Sequence, residues 1–243
     1  MARVARAKCE SGIYHVMLRG INKQDIFLCD ADRIKFLQVL KTCKELSGFD
    51  LLAYCLMGNH VHLLIKEKAE TLDLIMKRIG IRFVGWYNYK YDRCGHLFQD
   101  RYRSEAVDSD EYFLTVLRYI HQNPVKANLC NAPKVYRWSS YGDYHRGEGL
   151  ADVAFAFEMV NQQELLKFFD QEAEDFCLDV AEEKEVEEMR MFIAASRCKN
   201  LAEFESLNQA AQLEAIKEMR RMGLSRKRIA ELTGYSDYML RKF

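Results

Sequence analysis

Two short apolar runs, DLLAYCLM at 50–57 and VHLLI at 61–65, are separated only by Gly58, Asn59 and His60. Both are short for helices, and a Gly-Asn pair between such runs is a tight-turn signal. The pattern predicts a β-hairpin, with strands at 50–57 and 60–66 joined across Gly58-Asn59. GIYHVMLR at 12–19 alternates apolar and polar residues and reads as another strand. Arg101–Val107 reads as a fourth.

Between these strands lie segments of helical period. Residues 31–47 place Ile34, Leu37, Leu40 and Leu46 at helical spacing, with Gly48 as the stop. Thr71 is placed to cap a helix running to about Tyr91, with Leu72, Ile75, Ile79, Phe83 and Trp86 inward. Ser109-Asp110 caps a further helix, 111–122, which is expected to end before Pro124. The order β-α-β-β-α-β is the split-βαβ, ferredoxin-like pattern of an α+β domain, with one helix appended. Residues 131–150 read as a polar connection, and the rest of the chain as helical.

Composition narrows the class. At 49% hydrophobic and 12% aromatic residues, the 243-residue chain has ample material for a core, which excludes wholesale disorder. No apolar run approaches the roughly 20 residues that cross a bilayer. The basic start has no apolar segment behind it, so no secretory signal is read. Eight cysteines, at 9, 29, 43, 55, 94, 130, 177 and 198, include no CxxC pair and read as reduced thiols. The expectation is a cytoplasmic protein with no membrane contact.

A total of 36 basic against 36 acidic residues argues against a nucleic-acid partner until the charges are placed. Residues 1–150 hold 23 basic and 17 acidic side chains, residues 151–200 hold 5 and 13, and residues 201–243 hold 8 and 6. An acidic helical stretch separates two basic ones. This predicts a domain at 1–148, an acidic helical linker at 149–204 and a small module at 205–243.

The chemistry concentrates in GNHVHLLI. On a strand His60 and His62 point to one face while Val61 points to the other. Two imidazoles side by side can hold a divalent cation given a third ligand, although hydrogen-bonded histidines on a half-buried strand are the ordinary reading. In RYIHQNP, Tyr119 and Asn123 stand four apart on one helical face. Asn123 could complete such a site, and Tyr119 could attack a phosphate that the metal polarises. On spacing alone, a packed helix-face aromatic is the stronger reading of Tyr119, and His121 points away from this face.

GNHVHLLI, GHLFQDRYRSEAV, YIHQNPVKANL and YRWSSY, in this order and spacing, resemble the REP-associated tyrosine transposases of the single-tyrosine HUH superfamily. RGINKQDIF resembles the Arg-Gly-x-Asn segment of that family. The resemblance covers roughly residues 8–145. It implies a ferredoxin-like HUH nuclease domain and a divalent metal, Mg²⁺ or Mn²⁺, held by His60, His62 and Asn123. It also implies Tyr119 as the nucleophile, and single-stranded DNA cut beside a hairpin through a 5′-phosphotyrosine link. Rejoining needs no ATP on this scheme, in keeping with the absence of a GxxxxGK[ST] motif.

Candidate DNA contacts are Arg19, Asn22 and Lys23 after the first strand, and Arg101, Tyr102 and Arg103 at the fourth. Lys77 and Arg82 on the second helix interleave with aromatics. GLSRKRIAELTGYSDYMLRKF reads as a helix-turn-helix, with Ser225 and Ser236 as caps and Arg226, Lys227, Arg241 and Lys242 as basic contacts. A plain helical packing module is its competitor. The competing function is a domesticated, non-cleaving binder of structured DNA or RNA, as monomer or homodimer.

Overall fold

The computed structural model describes residues 9–171, 177, 188–198 and 200–240. The chain divides into two compact units, Met1–Leu178 and Asp179–Phe243. The first unit carries β1 (Ile13–Arg19), α1 (Asp30–Ser47), β2 (Asp50–Leu56), β3 (His60–Lys66), α2 (Leu72–Lys90), β4 (Arg103–Ala106) and α3 (Asp110–Lys126). Its sheet has the order β2-β3-β1-β4, and every neighbouring pair is antiparallel. β1 and β2 therefore run parallel with β3 between them, as do β3 and β4 with β1 between them. Crossovers of the same hand put α1 and α2 together on one face of the sheet, where the two helices pack on each other. This is the ferredoxin-like arrangement of the split βαβ.

The hairpin closes as its sequence requires, with Met57 N–H donating to His60 O at 2.9 Å. The loop after β1 folds back on it: Ile26 N–H and Phe27 N–H both donate to Gly58 O. Gly20 opens that loop where no side chain fits, because a Cβ there would lie 2.2 Å from the Gln24 carbonyl oxygen.

Val16, Leu18, Val61, Leu63 and Ile65 are buried on the α1/α2 side, and Phe27, Phe36 and Phe83 cluster edge to face between the helices. α1 turns a different stripe inward from the one its leucines suggest. Phe36, Val39, Leu40 and Cys43 are buried, while Ile34 and Leu46 are about half exposed. The buried set keeps the i, i+3, i+4, i+7 spacing, and Ile34 and Leu46 fall off its edge. Thr71 sits at the N-cap of α2, with no side-chain capping bond.

Three boundaries differ from expectation. α3 runs through Pro124 to Lys126 instead of stopping before it. Proline removes one donor and costs most in a helix interior. Here only Val125 and Lys126 follow, and Ala127 N–H closes the turn on Asn123 O at 3.0 Å. The WSSY segment is packed rather than a polar connection. Leu56 N–H donates to Trp138 O and Ser140 N–H to Tyr54 O, both at 2.9 Å, which covers the open edge of β2. Finally, the compact division falls at 178, not 148. Ala151, Val153, Ala156, Leu165 and Phe169 are buried, and the helix Gln162–Phe169 packs on α3. None of the eight cysteines forms a disulfide.

In the second unit, Leu201–Glu205, Gln209–Arg221 and Arg226–Thr233 form helices around Phe192, Phe204, Ile216, Met219, Ile229 and Leu232. Ser225 Oγ accepts from Arg228 N–H, and Gly234 ends the helix in the left-handed region at φ 73°. Among the described residues, no helix is long and apolar enough to cross a membrane.

Candidate active site

Strand register builds the site. Directly opposed residues share a face, so Arg19 lies beside His60, and Met17 lies between His62 and Arg103 in one row. Period two then puts His15 on this same face, one step along β1. α3 covers the face, bringing the Tyr119 ring to 5.6 Å from His62 and 5.8 Å from His15 between centroids. The His60 and His62 rings are 5.0 Å apart and perpendicular. His15, His62, Tyr119 and Asn123 are all buried, and His60 is partly open.

Donor and acceptor roles set the imidazole tautomers. Asn59 Nδ2 donates to Lys23 O at 3.1 Å, leaving Asn59 Oδ1 to accept from His60 Nδ1–H at 2.6 Å. Asn123 Nδ2 lies 3.3 Å from His62 Nε2, and an amide nitrogen can only donate. His62 Nδ1 then carries the proton, donated to His15 Nε2 at 3.0 Å. His60 is thus unprotonated at Nε2, as is His62, whose Nε2 accepts from Asn123 Nδ2.

Among the described residues, no group of three or more His, Cys, Asp or Glu side chains could hold a metal ion. A cation here would take two imidazole nitrogens and the Asn123 carboxamide. That donor set fits a divalent ion and leaves positions for phosphate oxygens.

The opposite side of α3 is of another kind. His121 is fully buried, its Nε2 2.9 Å from Ser140 Oγ and its ring 4.4 Å from that of Phe169. Burial pushes its pKa down to about 3. This is a structural histidine, as its direction along the helix suggests.

The candidate DNA contacts separate into groups. Arg19, Asn22 and Lys23 sit at the His60 end of the site, with Asn22 and Lys23 at positive φ (52° and 58°) in the loop that Asn59 ties down. Arg103 is on the row of His62, and Arg101 is exposed just before it. Tyr102 is buried and donates to Asp73 Oδ1 at 2.8 Å, so its hydroxyl anchors the strand to α2. Lys77 and Arg82 are exposed on α2, in the layer across the sheet from Tyr119. Arg226 and Lys227 are exposed in the second unit; Arg241 and Lys242 lie outside the described residues.

Two residues escape a reading by motif. Lys126 places Nζ 5.2 Å from the Tyr119 ring centroid, and its i+7 position marks it as lying on the same helical face. His15 could be found only from strand register.

Residues 8–123 match the sequence profile "Transposase IS200 like". No curated protein matches the chain. Among solved structures, the chain is similar to a REP-associated tyrosine transposase bound to a REP hairpin. That match has 16% identity and a TM-score of 0.55, and covers 74% of this chain and 96% of the other. At that identity the likeness speaks for the fold. A transposase-like chain from Deinococcus radiodurans R1 is 17% identical over 50% of this chain and 97% of its own, with a TM-score of 0.35, too low to argue from.

Proposed function

We propose that this chain is a metal-dependent, single-tyrosine DNA strand-transferase, a reading supported by the match of residues 8–123 to the profile of IS200-like transposases. It cleaves single-stranded DNA beside hairpin-forming palindromic repeats. One observation carries the reading: register and helix packing bring Tyr119 and Asn123 onto the two histidines of HVH, with the Asn123 amide 3.3 Å from His62 Nε2 and both histidines protonated at Nδ1.

In the reaction the Tyr119 phenol gives up its proton and its oxygen forms a bond to phosphorus. The P–O3′ bond breaks, and the 3′ oxygen leaves as a hydroxyl. The product is a 5′-phosphotyrosine, which stores the phosphodiester energy for rejoining. His60, His62 and, with its amide turned over, the carboxamide oxygen of Asn123 would hold Mg²⁺ or Mn²⁺, which would neutralise charge developing on the phosphate. Arg19, Asn22, Lys23, Arg101 and Arg103 position the strand, and the basic helix Arg226–Thr233 offers a second, helix-turn-helix-like DNA contact. Lys77 and Arg82 are assigned to DNA passing over the far layer. The hairpin-bound relative supports DNA of that shape as the partner.

Incubating the full chain with end-labelled hairpin DNA and Mn²⁺ should give a covalent protein–DNA band that EDTA prevents. Binding with no adduct on any hairpin substrate would instead identify a non-cleaving binder.

A further inference from the structure

We propose that His15 is a positioning residue for His62: it holds that imidazole in the Nδ1–H form, with Nε2 aimed at the metal site. The inference rests on the metal-site reading above and adds a residue to it.

His15 is fully buried on a strand otherwise apolar around it: Ile13, Tyr14, Val16, Met17 and Leu18 are all buried too. A buried imidazole is costly unless its polar atoms are used. Here its Nε2 meets His62 Nδ1 at 3.0 Å, and the two rings stack with centroids 5.2 Å apart at 30°. With Asn123 Nδ2 against Nε2, His62 is left to donate from Nδ1 to His15, and the stacking selects the ring plane. A metal-binding histidine needs both, because its other nitrogen must keep the proton while the donor lone pair stays aimed.

The same device serves His60 through Asn59, a residue of the turn. The two histidines are therefore oriented from different elements: His60 by its own hairpin, His62 by a neighbouring strand. His15 has its acceptor nitrogen on His62, so it acts through that residue. It is the more vulnerable support, because no local turn can replace it.

The test uses the full-length protein. Long-range ¹H–¹⁵N spectra of the metal-free, neutral-imidazole state should show His62 protonated at Nδ1; protonation at Nε2 instead overturns the inference. Calorimetric Mn²⁺ titration of His15→Phe should show affinity about 10–100-fold weaker than wild type. His15→Gln keeps an acceptor at similar reach and should recover most of that loss; a Gln variant as weak as Phe counts against the acceptor role. Should His15→Phe fail to fold, the wild-type spectrum and the Gln variant decide the matter. His62→Ala separates the two ideas. Mn²⁺ binding that survives it defeats the metal-site reading. Binding lost in His62→Ala but intact in His15→Phe defeats only the role of His15.

Discussion

The two sides of α3 bury histidines to the same degree and use them in opposite ways. Toward the sheet, His62 is held among His15, Asn123 and Tyr119, all groups that can donate, accept or coordinate. On the other side, His121 is set among Phe169, Tyr141 and Tyr144 with Ser140 as its polar partner. Burial alone does not make a buried histidine functional. What matters is whether its neighbours can donate, accept or coordinate.

The sharpest way to break the comparison is on the sheet side. Tyr119→Phe should lower covalent adduct formation by at least roughly a thousandfold, since it removes the nucleophilic oxygen. Its urea midpoint should stay close to wild type; a large stability loss would make Tyr119 a packing residue. Next in size is Phe169→Ala on the far side, which empties a fully buried ring site. It should cost about 3–5 kcal/mol in chemical denaturation. The folded fraction should still form adduct, and an unfolded-like loss of both would mean the two sides are not separable.

Acid distinguishes the sides further. His121 titrates near 3 in the folded protein and near 6.5 when unfolded, so below about pH 6.5 the unfolded chain binds the extra proton. Its contribution to stability is therefore lost as pH falls from about 6.5 toward 3, by up to about 1.4 kcal/mol per pH unit. Denaturation curves at pH 7 and pH 5 should show a smaller difference in His121→Phe than in wild type; an equal difference refutes the assignment. The smallest effect is expected from Lys126→Ala. A cation beside the Tyr119 ring is worth about 0.5–1 kcal/mol, so adduct formation should slow only several-fold, with Lys126→Arg near wild type.

Much of this was readable because short-range patterns report local structure. The hairpin across Gly58-Asn59, the opposite directions of His62 and Val61, and the shared face of Tyr119 and Asn123 follow from periods of 2 and 3.6 residues. The stripe of α1 does not follow its leucines and isoleucine, because the sheet and α2 take in the larger Phe36 and the small Cys43 instead of Ile34 and Leu46. The WSSY segment escaped because its role is to pair with a strand more than 80 residues earlier, and it has no period of its own.

By itself, then, the sequence determined the elements, the sheet's hairpin and the residue types able to do phosphoryl chemistry. Only the tertiary structure decided that His15 lies against His62 and that Lys77 and Arg82 lie in the layer across the sheet from Tyr119. It also decided that the first unit extends past residue 148. The physical reason is register. Side-chain direction is set within a few residues, but which strand lies opposite which is settled by burial and hydrogen bonding across the whole sheet.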